Sequence, residues 1–250
     1  ICPFLFTASR LNSEQPSLAF QTPNMRKRLN ENTGQNPTEQ NQVPTENAQQ
    51  MNRSPMDSII ALDQKWTAAL SVCANEDSPL VKLRPLMKAL EISFHGLLWL
   101  AGTAIAFFMC HRINDIELLV NLFLLLILDL IVVGSTKLMF RRGRPTNNRM
   151  DMFATVSVDV FSFPSGHSTR AAMVTCFLVS KVVKKRYSPL VIALCGCLGL
   201  SRIMLGRHHI LDVVFGLIIG VLEFVCYLPF WVPFSVIEPW LDDLLSHLHL

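Results

Sequence analysis

The sequence predicts an all-α, polytopic membrane helix bundle with about five transmembrane helices, an amphipathic helix and a disordered N-terminal segment. Three observations carry that prediction. Half of the 250 residues are hydrophobic and only 16% are charged, against about a quarter charged in a soluble domain of ordinary composition. The apolar residues are gathered into runs rather than spread along the chain. Five of those runs, 89–110, 116–136, 167–183, 188–206 and 210–232, come near the roughly 20 residues that a bilayer-spanning helix requires. The net charge of +3 is too small to point to nucleic acid. The basic residues collect at the edges of the apolar runs, where anionic headgroups and topology signals place them.

In chain order, residues 1–57 form a polar region in which Asn, Gln, Glu, Pro and Thr dominate from Met25 onward. Such a segment cannot bury enough surface to offset its ordering entropy and is read as disordered. Ile1–Phe6 is too short for the apolar core of a secretory signal, and Met25, ahead of Arg26, Lys27 and Arg28, is a candidate start. Asn52-Arg53-Ser54 fits the glycosylation pattern, which only a lumenal N-terminus uses, and a cytosolic one is expected. Over 58–79, Ile59, Leu62, Trp66, Ala69 and Leu70 recur at helical spacing with Asp63, Gln64 and Lys65 between them. That pattern predicts an amphipathic helix lying on the membrane or, the preferred reading, packed on the bundle.

Residues 80–232 make the membrane-embedded domain, and 233–250 a short tail. Gly196, Gly199 and Ser201 dilute the fourth run and suit close helix packing. His95, Glu117, Asp129 and Glu223 lie inside runs and are read as packing, hydrogen-bonding or channel residues rather than catalytic acids. Of seven cysteines, five (Cys110, Cys176, Cys195, Cys197 and Cys226) sit in the runs as buried reduced thiols. Cys195 and Cys197 face different sides of a helix and make a poor metal clip. Basic clusters around Lys82–Lys88 and Arg141–Arg149 fall on one side of the membrane, and Lys181–Arg186 on the other. Together with the polar N-terminus and the acidic Glu238, Asp242 and Asp243, they place the N-terminus and the site on the cytosolic face.

Three stretches put phosphate-binding chemistry at the ends of the apolar runs: Lys137 to Arg144-Pro145, Phe163-Pro164-Ser165-Gly166-His167, and Ser201-Arg202 to His208 and Asp212. Ionisable groups there are costly and mark function by default. Lys137 and Arg144 are seven apart, two helical turns, and share one face if the second span continues to Gly143. Arg141 and Arg142 are read as snorkelling to the interface. Ser165 is a good N-cap type, Gly166 admits a ligand close to the backbone, and the following helix offers free amides and a favourable dipole. His208 is four from Asp212 and His209 three, so spacing alone lets either imidazole donate to that carboxylate. Adjacent histidines chelate a metal poorly, and no cluster of carboxylates completes a site.

The order Lys-x6-Arg-Pro, Pro-Ser-Gly-His, Ser-Arg-x5-His-x3-Asp resembles the signature of the type 2 phosphatidic acid phosphatases, the integral-membrane lipid phosphate phosphatases. The resemblance covers roughly residues 80–232. Flanking stretches, Arg84–Lys88, Met150–Phe153 and Ser201–His208, look most like the polyisoprenoid diphosphate phosphatases within that family. The resemblance implies that His208 attacks phosphorus with Asp212 holding its ring, and that His167 protonates the leaving group. It implies that Lys137, Arg144, Arg202 and the backbone at Ser165 and Gly166 bind the phosphoryl oxygens, with no metal or other cofactor. The implied substrates are isoprenoid diphosphates and phosphatidic acid-type monophosphates, met in the endoplasmic reticulum membrane and nuclear envelope, with membrane lipids as surroundings. A catalytically weak membrane scaffold is the main rival, opposed by the presence of all six charged motif residues. A transporter reading finds no inverted repeat, and a vanadate-dependent oxidant is disfavoured because such enzymes are soluble or secreted.

Overall fold

The computed structural model describes residues 54–110, 112–149, 151 and 160–247. The polar segment read as disordered lies outside them up to residue 53. Every regular element among the described residues is helical. Helix α1 (Pro55–Leu70) opens on a capping box: the Asp57 amide donates to Ser54 Oγ at 3.2 Å and the Ser54 amide to Asp57 Oδ2 at 3.1 Å. Pro55 fills the first helical turn, where no amide is needed. Helices α2 (Arg84–Ser93) and α3 (Gly96–Met109) follow, and then α4 (Ile113–Phe140), about 42 Å long at 1.5 Å per residue. After a loop come α5 (Gly166–Phe177), α6 (Ser188–Met204) and α7 (Ile210–Tyr227). Helix α8 (Phe234–His247) occupies the stretch read as a tail.

Three helical stretches are long and apolar enough to cross a membrane: α4, Lys185–Met204 and Ile210–Phe230. A fourth span is complete if Val81–Ser93 and Gly96–Met109, bent by 49°, count as one. The run at 167–183 differs from expectation. Helix α5 is only 12 residues long before a five-residue π turn at Leu178–Val182. Residues 168–175 are all buried, so protein rather than lipid surrounds this helix, and it can carry Ser168, Thr169, Arg170 and Thr175.

Helix α5 is the axis of the bundle. Leu125 and Leu126 of α4 pack with Met173, Val174 and Phe177 of α5 and Phe224 of α7. On the other side Ala171 and Ala172 meet Cys195 and Leu198 of α6. Glycines set the α5–α7 distance. A Cβ on Gly216 would stand 2.9 Å from the Ser165 carbonyl oxygen, and one on Gly220 would stand 2.0 Å from that of Thr169. The Gly-x3-Gly spacing lets the two backbones touch, which brings the N-terminal ends of both helices together.

Several polar groups inside the bundle are matched, although both carboxylate oxygens of Glu223 are buried without a hydrogen-bond partner among the described residues. Asn121, fully buried, donates to the Glu117 and Val232 carbonyls and accepts from the Tyr227 hydroxyl and the Val232 amide, all at 2.8–2.9 Å. Glu117 receives Trp231 Nε1 at 2.7 Å and the Phe234 amide at 2.9 Å, which ties the start of α8 to α4. Asp129 pairs with Arg170 at 2.6 Å. These carboxylates do the packing work expected of them. Among the described residues six cysteines are free and none is paired.

Candidate active site

The α5–α7 contact places two chain turns side by side. The Ser165 amide donates to the Asp212 carbonyl at 3.0 Å, so the start of α5 is fastened to the start of α7. The loop before α7 is closed tightly: Gly206 takes a positive φ of 67°, and the Arg207 amide returns to the Arg202 carbonyl at 3.0 Å. His208 is thereby carried under the bundle, 2% exposed.

One contact decides the chemistry of His208. Its Nδ1 lies 2.8 Å from the Ser162 carbonyl oxygen. A carbonyl can only accept, so Nδ1 carries the proton and Nε2 keeps its lone pair. Burial, reinforced by the positive charges of Arg144, Arg202 and Lys137, holds the imidazole well below its ordinary pKa and keeps it neutral. A neutral imidazole with a free Nε2, surrounded by fixed cations, suits attack on an anion.

Lys137, on the last turn of α4 and 2% exposed, lines a cavity of about 190 Å³ with Gly166, His167, His95 and Arg170. Leu97, Leu100, Leu130 and Val133 make its apolar wall. Arg144 borders a second cavity of about 590 Å³ with Arg142, His209 and three phenylalanines, Phe140, Phe163 and Phe215. Arg202 is fully buried and meets Glu91 of α2 at 3.0 Å. Glu91 also reaches Arg207 at 3.3 Å, which in turn meets Asp151 at 2.7 Å. Burial works to raise the Asp151 pKa, but hydrogen bonds from Lys88, Arg84 and Arg207 prevail and hold it well below the usual carboxylate range. This network clamps the loop that carries His208 from the outside. Among the described residues no group of three or more His, Cys, Asp or Glu is placed to hold a metal ion.

Four expectations are corrected by this geometry. Asp212 does not take the N–H of His208. Its Oδ2 accepts from the His209 amide at 2.8 Å, from His209 Nδ1 at 3.1 Å and from the Ser162 hydroxyl. It is the third residue of α7, and a carboxylate there is drawn to the amide of the residue that caps the helix. Second, α4 stops at Phe140, because Arg141 adopts a left-handed φ of 46° and caps it. Lys137 and Arg144 therefore reach His208 from a helix and a loop, not from one helical face. Third, Ser165 is the N-cap by position, but its hydroxyl accepts from Ser168 Oγ at 2.9 Å and caps no amide. The Ser168 and Thr169 amides return to the Ser165 carbonyl at 3.0 Å, which leaves those of Gly166 and His167 at the helix start for an anion. Fourth, Arg142 does not snorkel; it pairs with Asp212 and with Asp63 of α1, each at 2.6 Å.

Asp63, Arg142, Ser162 and Glu91 are the residues that sequence reasoning missed. Glu91 carries a readable signal, a carboxylate inside an apolar run. Ser162 carries none, because its backbone carbonyl makes the contact that matters.

Fold and site together define a helical membrane protein that gathers fixed cations around a neutral imidazole, an anion-binding arrangement at the ends of spans. Residues 118–233 match the PAP2 superfamily. The probable lipid phosphate phosphatase beta of Arabidopsis thaliana is 36% identical over 131 residues, 42% of this chain and 62% of that protein. Phosphatidylglycerophosphatase B of Bacillus subtilis is 32% identical over 109 residues, 39% of this chain and 54% of that protein. The chain thus spans a little over half the length of these curated relatives. The crystal structure of a transmembrane PAP2 type phosphatidylglycerolphosphate phosphatase from Bacillus subtilis superposes with a TM-score of 0.53 at 23% identity. It covers 70% of this chain and 86% of that one, which shows a shared fold.

Proposed function

We propose that the chain is a lipid phosphate phosphohydrolase that works through a phosphohistidine. The observation that carries the proposal is His208, neutral, with its proton held on the Ser162 carbonyl and Nε2 available amid Lys137, Arg144 and Arg202. Phosphoryl transfer asks a protein mainly for positioning and for charge on the three equatorial oxygens. The three cations and the amides of Gly166 and His167, in the turn that begins at Ser165, meet that demand. Nε2 of His208 forms a bond to phosphorus while the bond to the leaving oxygen breaks. The electron pair goes to that oxygen, which takes a proton from His167. Burial, and after it the positive charges of Arg202, Arg170 and Lys137, hold His167 well below the ordinary histidine pKa, and a bound phosphate anion works against that shift. In this reading His167 takes up its proton together with the anionic substrate and passes it to the leaving oxygen. His167 next takes a proton from water, the water attacks the phosphohistidine, and inorganic phosphate departs as His208 is restored. Fixed cations do the work of a divalent metal, and none enters the step.

The substrates we infer are polyisoprenoid diphosphates (presqualene, farnesyl and geranylgeranyl diphosphate), with phosphatidic acid-type monophosphates second. Support for lipid phosphates comes from the relatives, one a lipid phosphate phosphatase and one a phosphatidylglycerophosphatase. The apolar wall of the His167 cavity supports a lipid on the leaving-group side. The isoprenoid preference rests on the flanking sequences. The inferred location is the endoplasmic reticulum membrane and nuclear envelope, with the site facing the cytosol. The test is phosphate release in detergent from a panel of isoprenoid diphosphates and phospholipid phosphates, with and without chelator. Release that persists in chelator, is inhibited by vanadate and vanishes in His208→Ala is expected. Activity lost to chelator and restored by magnesium overturns the mechanism.

A further inference from the structure

Helix α1 is turned the opposite way from a helix packed on a soluble core. Its buried residues are Asp63 and Thr67, while Ile59, Leu62 and Trp66 are more than half exposed. The polar edge is spent on the start of α7. Asp63 Oδ1 accepts the Leu211 amide and Thr67 Oγ1 accepts the Ile210 amide, each at 3.1 Å. These are first-turn amides that the helix cannot satisfy itself, and a carboxylate there also meets the positive end of the dipole. The C-terminal end of α1 continues onto α6, where the Cys73 amide donates to the Met204 carbonyl at 2.9 Å. α1 therefore sits at the level where the spans begin and end, with its apolar side outward.

The second oxygen of Asp63 leads to the site. Oδ2 holds Arg142 Nη2 at 2.6 Å, and Arg142 Nη1 holds Asp212 Oδ1 at 2.6 Å. Asp212 Oδ2 accepts the Ser162 hydroxyl, and the Ser162 carbonyl accepts Nδ1 of His208 at 2.8 Å. The Ser162 amide also returns to the Arg142 carbonyl at 2.7 Å. A continuous path of charged and hydrogen-bonded groups thus runs from the surface helix to the imidazole. Asp63 is 2% exposed in its side chain, and Asp212 is fully buried. Two buried carboxylates bracket one guanidinium, a planar fork that a lysine cannot reproduce. We propose that Asp63 and Arg142 are positioning residues for the reaction: α1 sets Asp212 and Ser162, and through them the orientation and tautomer of His208.

The proposal rests on His208 as nucleophile, and its test separates the two. The full chain is purified in detergent and assayed with farnesyl diphosphate and phosphatidic acid. Asp63→Asn keeps an acceptor for the Leu211 amide and removes the charge that Arg142 needs. Its kcat is expected to fall about tenfold, the scale of coupling between groups in one network, with KM changed less than about threefold. Asp63→Glu is expected to restore most of the loss. Arg142→Lys, which keeps the charge but not the fork, is expected to behave like Asp63→Asn. In the double variant, Asp63→Asn adds no loss to Asp212→Asn, because both act on the same path. Wild-type kcat in Asp63→Asn overturns the proposal. So do losses that multiply in the double variant, or a loss that follows lowered thermal stability and is not restored by Asp63→Glu. An active His208→Ala brings down both readings; an inactive His208→Ala beside a fully active Asp63→Asn brings down this one alone.

Discussion

Replacing Gly220 by alanine tests whether the α5–α7 crossing builds the site. The added Cβ would stand 2.0 Å from the Thr169 carbonyl oxygen, where real Cβ contacts essentially never fall below 3.0 Å. The obstacle is helix backbone and cannot swing aside, so the two helices must separate by about 1 Å. Overpacking of this kind costs about 1–3 kcal/mol. A shift of that size also moves the His208–Asp212 turn away from Gly166 and His167, and a misplacement of about 1 Å costs roughly 10²-fold in rate. Gly220→Ala should therefore lower kcat/KM about 100-fold and the thermal midpoint by several degrees. Gly216→Ala, with its nearest atom at 2.9 Å, should show a smaller loss, and Gly196→Ala, with nothing within 4 Å, none. The assay is phosphate release beside a thermal scan of the same monodisperse preparation. Wild-type kcat/KM in Gly220→Ala refutes the reasoning, because the crossing would then not transmit to the site.

Other perturbations separate the neighbouring groups. His208→Ala should abolish phosphate release while His209→Ala keeps much of it and Asp212→Asn falls between; a phosphoenzyme that survives His208→Ala and is lost in His209→Ala reverses the assignment. Asp129→Asn leaves Arg170 buried beside a neutral partner, and loss of one member of a buried pair costs about 3–5 kcal/mol. A thermal midpoint equal to the wild type removes that pair from the stability of the bundle. The folded pKa of His208 lies below the ordinary value of about 6.5, so the native state binds fewer protons than the unfolded one as pH falls below that value. Its contribution to stability is complete above about pH 6.5 and is lost as pH drops toward the folded pKa. The midpoint difference between wild type and His208→Asn should change sign-consistently in that acidic window and stay level above it. A flat difference shows that His208 is not held neutral.

Much of the molecule was legible without coordinates, for a local reason. An apolar run of span length has few alternatives in a bilayer, and charged residues at its ends are too costly to be incidental. The runs that became α4, α6 and α7 were therefore readable, as were Lys137, Arg144, Arg202 and His208 as candidates for one anion site. The bounds of α1 differ from the reading of 58–79: the helix opens earlier, at Ser54 and Pro55, and ends at Leu70. Three things were decided by tertiary structure. Helix α5 is short and buried because its neighbours, not lipid, surround it, and the glycines that permit this lie on α7. Asp212 sits three residues from one histidine and four from another, and only the path of the loop gave its oxygens to His209, Ser162 and Arg142. The proton on His208 is assigned by the carbonyl of Ser162, 46 residues away. A backbone acceptor has no residue type, so sequence could suggest the nucleophile but only the fold could orient it.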